Sequence, residues 1–301
     1  MVKYLLDRTA LALFRTVPTR AAHHLLYLAQ SQPELSDRWG YHIRPIHYYE
    51  PLPDYRSITT EQIERRRSYP AIDFHWDEQL TLISELAMYR DELTSVAFNF
   101  ENEYFGGFDA AIYYSLIRHL KPQRIIEVGG GYSTQIASKA LAMNGAGKLT
   151  CIEPYPQERL AGANLDVDLI QKRVEEIDVD FFASLEANDI LFIDSSHVVK
   201  FGGDVCYEFL EVLPTLHRGV WIHVHDIFFP QDYPADWLLN RRLALNEQYL
   251  LEAFLSFNRS FSPQLANFWI CLEHQPEAAR VWPNALSGNP SASSFWMKRV
   301  I

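Results

Sequence analysis

The stretch Arg124-Ile125-Ile126-Glu127-Val128-Gly129-Gly130-Gly131-Tyr132-Ser133-Thr134 decides the fold. Its first half is a short apolar run of strand type, and its second half is a glycine turn. Residues 133–143 then place Ile136, Ala137, Ala140 and Leu141 on one side of a helix, and NGAGK (144–148) stops it. Strand, glycine turn and helix in this order let the backbone turn tightly and approach a ligand closely. The free amides at the helix start favour an electronegative group there.

The same alternation continues on both sides. Upstream, FDAAIYYSLIRHL (108–120) puts Ile112, Leu116, Ile117 and Leu120 on one helical face, and Pro122 ends it. Downstream, LTCIEP (149–154), VDLIQKRV (167–174), DILFID (189–194) and GVWIHVHD (219–226) read as strands, with a helix near 203–217 between the last two. Another helix is expected at 243–257, and NFWICLE (267–273) and SFWMKRV (294–300) read as late strands. Strands alternating with helices imply a parallel sheet covered on both faces, whose strands are nearly continuous apolar runs.

Ligands of such sheets bind beyond the carboxyl ends of the strands, so the residues at those ends carry the chemistry. Glu127 precedes the glycines, and Glu153 ends the second strand, where a carboxylate can accept hydrogen bonds from both hydroxyls of a ribose. That spacing serves NAD or S-adenosylmethionine (SAM) equally. Glu127 would sit badly beside a pyrophosphate and suits a ligand with a cationic amino-acid end. The last glycine of the dinucleotide pattern is also absent, with Ser133 in that stretch. After the fourth and fifth strands come Asp194-Ser195-Ser196-His197 and His225-Asp226. His197 or His225 is a candidate general base, since an ordinary imidazole titrates near neutrality. Alternatively Asp194 and Asp226, with or without a histidine, hold a divalent metal such as Mg²⁺, which lowers the pKa of a bound hydroxyl. His223 and His225 share a strand face, so one of them is expected to be a core histidine. Asp204, after Gly202-Gly203, reads as a helix cap.

EVGGGYST, CIEP, DILFIDSSHVVKFGGDV and GVWIHVHDIF together resemble the class I SAM-dependent methyltransferases, closest to the group that methylates small molecules. The likeness covers about residues 104–301. It implies a Rossmann-like seven-stranded sheet in the order 3-2-1-4-5-7-6, strand seven antiparallel, with helices on both faces. It also implies that Glu127, Gly129 and Gly131 line the methionine part of SAM, that Glu153 holds the ribose, that Val174 and Glu175 lie near the adenine, and that Gly130, Tyr132, Ser133 and Asp194 also belong to the cofactor site. Metal-dependent relatives carry a carboxylate pair or Asp-Asn after strand five; here Asp226-Ile227 lacks the second ligand. The function this implies is methylation of a small-molecule acceptor, a hydroxyl of a sugar or natural product. The rival readings are an NAD(P)-dependent oxidoreductase and a non-catalytic protein on the same fold.

Residues 1–103 differ in character. Residues 4–30 read as helix on either side of Pro18, and 76–93 as helix; WGYHIRPIHYYEPLPDY (39–55) is aromatic and proline-rich. This part is expected to be a cap over the 104–301 domain. Tyr48–Pro53 and Asn99–Phe105 would fold over the cleft, Tyr104 and Tyr132 would pack near it, and the loop 228–237 would face the substrate. Arg65-Arg66-Arg67 reads as a solvated helix face. A net charge of −11 without clustered Lys and Arg excludes nucleic acid as the expected partner. The three cysteines lack metal-type spacing and suit a reducing cytoplasm. No apolar run approaches the roughly 20 residues that span a bilayer, and the N-terminus does not read as a signal peptide. The aromatics of the first third point to a homodimer.

Overall fold

A computed structural model describes residues 16–38, 40–157, 160, 165–286 and 292–301. The chain falls into two compact units, Met1–Ser57 and Ile58–Ile301. In the first, helix α1 (Thr19–Ser31) buries none of its residues, and the rings of His47, Tyr48 and Tyr49 lie against one another. The boundary falls after Ser57, so residues 58–103 belong with the sheet. Ile63, Tyr69, Phe74, Ile83, Leu86 and Leu93 are all buried there. Helical structure over 76–93 is broken into α2 (Trp76–Leu86), a tight turn and a short last piece.

The second unit is built on one seven-stranded sheet: β1 (Arg124–Val128), β2 (Lys148–Ile152), β3 (Asp168–Ile170), β4 (Ile190–Ile193), β5 (Trp221–Val224), β6 (Phe261–Ala266) and β7 (Phe295–Arg299). Their order is β3-β2-β1-β4-β5-β7-β6, and β7 runs antiparallel to both neighbours. Central strands are buried on both faces, which is why they read as unbroken apolar runs. One face packs on α3 (Gly107–Leu120) and α4 (Tyr132–Asn144); Ile125, Phe192, Trp221 and Trp296 point that way. On the other, Ile126, Val128, Ile193 and Val224 meet the helical run α5, made of Asp204–Tyr207, a wider π turn at Glu208–Val212, and Leu213–Thr215. Helix α6 (Glu247–Leu255) adds Leu251 and Leu255 to that core. Helix α4 stops at Gly145, which takes the left-handed conformation (φ +68°).

NFWICLE (267–273) is helix α7 (Asn267–Glu273), not a strand; the edge strand β6 lies just before it. A short apolar run has the same composition in a buried strand as on a buried helical face, and here Asn267, Ile270 and Cys271 are the buried, helix-spaced set. Pro263 is tolerated in β6 because the strand is at the sheet edge. Helix α8 (Gln275–Val281) follows and packs on α2. The arginine run is not a free helix face either. Its helix ends at Glu64, Arg66 pairs with Glu273, and the Arg67 guanidinium lies 2.7 Å from a Glu252 carboxylate oxygen. No helix among the described residues is long and apolar enough to cross a membrane.

Candidate active site

The sheet register sorts the polar residues into two rows. Cys151, Glu127, Phe192, His223 and Trp296 stand side by side across five strands. Two residues further along each parallel strand come Glu153, Gly129, Asp194 and His225, on the same face. Backbone hydrogen bonds carry the ladder to this second row: Gly129 donates to Ile152, Asp194 to Val128, and His225 to Ile193. The second row is the strand-tip row, and two cavities open on it.

One cavity, of about 460 Å³, is lined by Gly129, Glu153, Val174, Glu175, Asp194 and Asp204, among others. The other, of about 510 Å³, is lined by Tyr104, Tyr132, Asp194, His225, Asp226 and Trp237, among others. Asp194 belongs to both. Gly130, Gly131 and Ser133 also line the larger cavity. Gly129 sits at φ +80°, and a methyl group there would run into the Asp194 carbonyl oxygen. The turn can therefore carry no side chain without losing either its conformation or the floor of the smaller cavity.

Glu153 accepts hydrogen bonds from the amides of Tyr155 (2.8 Å) and Gly130 (3.3 Å). An ionised carboxylate has about four lone-pair positions, so acceptor capacity remains for a ligand. Glu127 behaves differently from the expectation that it lines the methionine end. It lies one row deeper and is fully buried, outside the lining of both cavities. Its Oε2 accepts the Thr134 hydroxyl at 2.5 Å, and Thr134 Oγ1 accepts the Gly131 amide at 3.0 Å. Glu127 thus holds the glycine turn from beneath, with Oε1 unpartnered. Burial, opposed by hydrogen bonds from Thr134 and Ser133, pushes its carboxyl up to about 8.

The β4 and β5 tips meet at His197. Its Nε2 lies 3.3 Å from Asp194 Oδ1 and 3.4 Å from Asp226 Oδ2, and its Nδ1 lies 2.8 Å from Glu247 Oε2. Burial disfavours the charge on His197, but Asp194 and Glu247 outweigh it and raise its pKa well above the usual imidazole value. In turn Asp194 is held at about 2: burial opposes its charge, and His225 and His197 overcome that. This corrects two expectations. His197 lies outside the lining of both cavities, whereas a general base must face the proton it removes. The gap between Asp194 and Asp226, expected to hold Mg²⁺, is filled by the imidazole. Among the described residues, no group of three or more His, Cys, Asp or Glu is arranged to hold a metal ion.

His225 is the histidine on the larger cavity. Its Nε2 lies 3.6 Å from Asp226 Oδ1 and its Nδ1 3.4 Å from Ser294 Oγ. Burial lowers its proton affinity, but Asp194, Asp226 and Asp109 more than restore it, so its pKa is raised. Asp109, fully buried on α3, accepts from Asn267 Nδ2 and the Ser293 and Ser294 amides, which fixes the start of β7 beside Asp226. His223, one row deeper, is the core histidine. It stacks on Phe192 at 3.8 Å and pairs with Ser294 Oγ, and burial drives its pKa well below the usual value. Asp204 does more than start a helix: it accepts the amide and hydroxyl of Ser196 (2.9 and 2.6 Å), closing the loop after β4.

The methyltransferase-24 family model, a methyltransferase domain, matches residues 126–227, the span from β1 through the β5 tip. An uncharacterized protein of Archaeoglobus fulgidus is 31% identical over 166 residues, covering 48% of this chain and 75% of that protein. The chain belongs to the class I SAM-dependent methyltransferases. Among solved structures it is similar to the O-methyltransferase TomG of Streptomyces achromogenes, involved in tomaymycin synthesis and solved with SAM (16% identity, 72% of this chain and 88% of that one, TM-score 0.42). It is also similar to an O-methyltransferase of Bacillus cereus solved with SAH (13% identity, 73% and 91%, TM-score 0.39).

In this methyltransferase the walls of the larger cavity include residues that no motif marks: Glu103, Phe105, Trp237 and Arg241. Arg241 lies over the Trp237 ring at 5.4 Å. The 228–237 loop that supplies Trp237 is a packed wall. Phe228, Phe229 and Tyr233 are buried, and Gln248 ties it by accepting the Phe228 amide and donating to the Gln231 carbonyl. Only the loop's length and aromatic content pointed to it. Glu103 and Phe105 sit in a turn that Asn102 closes with its side chain, a contact invisible in local composition.

Proposed function

We propose that the protein transfers the methyl group of SAM to a hydroxyl of a small-molecule acceptor held in the larger cavity, with His225 taking the hydroxyl proton. The observation that carries this is the junction of the two cavities at Asp194, with Glu153 at the far side of one and the His225–Asp226 pair in the other. The residues present fit SAM. Glu153 has acceptor capacity for vicinal hydroxyls, Val174 and Ile152 offer apolar surface beside Glu175, and the side-chain-free turn at Gly129, with Gly130, Gly131, Tyr132 and Ser133, leaves room along the helix start. When bound, SAM supplies an electrophilic methyl on a sulfonium.

The chain's own part is positioning, water exclusion and proton movement. Phe105 closes over His225 at 5.2 Å, and Tyr104 stacks on Tyr132 at 6.0 Å, giving a planar acceptor aromatic surface. Asp226 and Asp194 stabilise the imidazolium of His225 once it has the proton. Expected with labelled SAM and hydroxylic acceptors is a methoxy product. His225→Gln should lower kcat by about 10² to 10⁴ while leaving SAM affinity unchanged. A product methylated on nitrogen or carbon, or full turnover by His225→Gln, would sink the reading.

A further inference from the structure

We infer that Arg241 is an anion anchor in the wall of the larger cavity, so that the acceptor carries a carboxylate besides the hydroxyl that is methylated. The inference rests on the reading above that the acceptor lies in this cavity, and it adds the chemistry by which the acceptor is chosen.

The cavity's lining carries both signs of charge. Its acids Asp194 and Asp226 lie against the rings of His197 and His225. Arg241 differs: its guanidinium ion-pairs with no carboxylate among the described residues and lies over the Trp237 ring instead. A guanidinium stays charged throughout the range in which proteins fold, and its five N–H donors lie in one plane and meet a carboxylate two at a time.

The surroundings fix where that plane stands. Arg241 follows the single turn Asp236–Asn240, and its amide donates to the Asp236 carbonyl. Trp237 is held in turn. Its amide donates to the Pro234 carbonyl, its carbonyl accepts the Leu243 amide, and its ring meets Phe228 edge to face at 5.5 Å. An arginine resting on a fixed indole loses less freedom on gripping an anion than one extended into solvent.

Two other anions bear on this site. Glu103 also lines the cavity, but it is exposed, and its repulsion of a ligand is screened by water and salt. The methionine carboxylate of SAM can reach the cavity too, since Gly130, Gly131 and Ser133 belong to its lining. Those residues form the start of α4, whose dipole and backbone amides favour an anion there. Arg241 and Trp237 come from the segment after β5 and are absent from the lining of the smaller cavity. The anion left for Arg241 is the acceptor's.

The test pairs anionic with neutral probes on the SAH-loaded protein: meta-hydroxybenzoate against meta-hydroxybenzamide, and para-hydroxycinnamate against its amide. Calorimetry should show each acid binding about tenfold or more tighter than its amide. Arg241→Gln should erase that preference, Arg241→Lys should keep part of it, and Arg241→Glu should reverse it in favour of meta-(aminomethyl)phenol. SAH affinity should be the same in all three. Arg241 is exposed, so these variants should unfold at the wild-type Tm. A fall in SAH affinity at unchanged Tm would assign Arg241 to the methionine carboxylate and overturn the inference. Equal binding of acids and amides, or no binding of any probe, would overturn it as well. The binding arm needs no methyl transfer. An acid preference with the methyl group placed on nitrogen or carbon would keep the anchor and sink the hydroxyl reading; methoxy products formed as well from amides as from acids would do the reverse.

Discussion

The two halves of the strand-tip row are built by opposite means. On the β1–β2 side the backbone does the shaping. Gly129 and Gly130 keep side chains out, Thr134 pins the turn, and the two acids are separated, with Glu127 buried below and Glu153 lining the smaller cavity. On the β4–β5 side charge does the shaping, with Asp194, His197, Asp226, His225 and Glu247 packed into one network. A backbone-shaped half tolerates changes of side-chain charge but not of volume. A charge-shaped half behaves the other way. The lesson is that one site can combine steric and electrostatic preorganisation in adjacent loops.

The largest effect should come from volume on the β1 side. Gly129→Ala must abandon φ +80° or displace the Asp194 carbonyl. It should abolish detectable SAM binding and cost about 3 kcal/mol of stability in denaturant unfolding. Retained binding would break the claim that backbone shape governs this half. A middle effect is expected at the acceptor wall. Trp237→Ala should raise the acceptor KM by about tenfold and leave SAM affinity alone, since Trp237 lines only the larger cavity. Equal losses for both ligands would mean that the two cavities act as one.

The smallest effect concerns charge on the β1 side. The Glu127 carboxyl is raised to about 8 from an ordinary 4.5, so across that window the folded protein holds a proton that the unfolded chain has released. Its contribution to stability is complete below about 4.5 and is lost as pH rises through about 8. The Tm of the wild type should therefore fall with rising pH in this window more steeply than that of Glu127→Gln. Identical slopes would show that Glu127 is ionised in the fold and that the β1 half also depends on charge.

Much of this was legible in residue order. Apolar runs ending in Glu153, Asp194 and Asp226 announce a parallel sheet with acids at its tips, and EVGGGYST marks the turn. Illegible were the distances along the strands that decide exposure. Glu127 and Gly129 are two residues apart, yet one is buried under the turn and the other forms a cavity floor. Asn267–Glu273, expected as a strand, is a helix, and the strand is Phe261–Ala266 just before it, because apolar composition does not distinguish a buried helix from a strand. Glu247, fifty residues beyond its partner, has no local signal at all.

By itself the sequence determined the strand–helix alternation from β1 through β5 and which chemical groups stand at those strand ends, because hydrophobic period, glycine placement and helix stops are local properties of the chain. Only the tertiary structure decided which of those groups meet. That His197 lies beside Asp194, Asp226 and Glu247, and not in the wall of either cavity, depends on Glu247 arriving from a distant helix and on packing that no local stretch encodes.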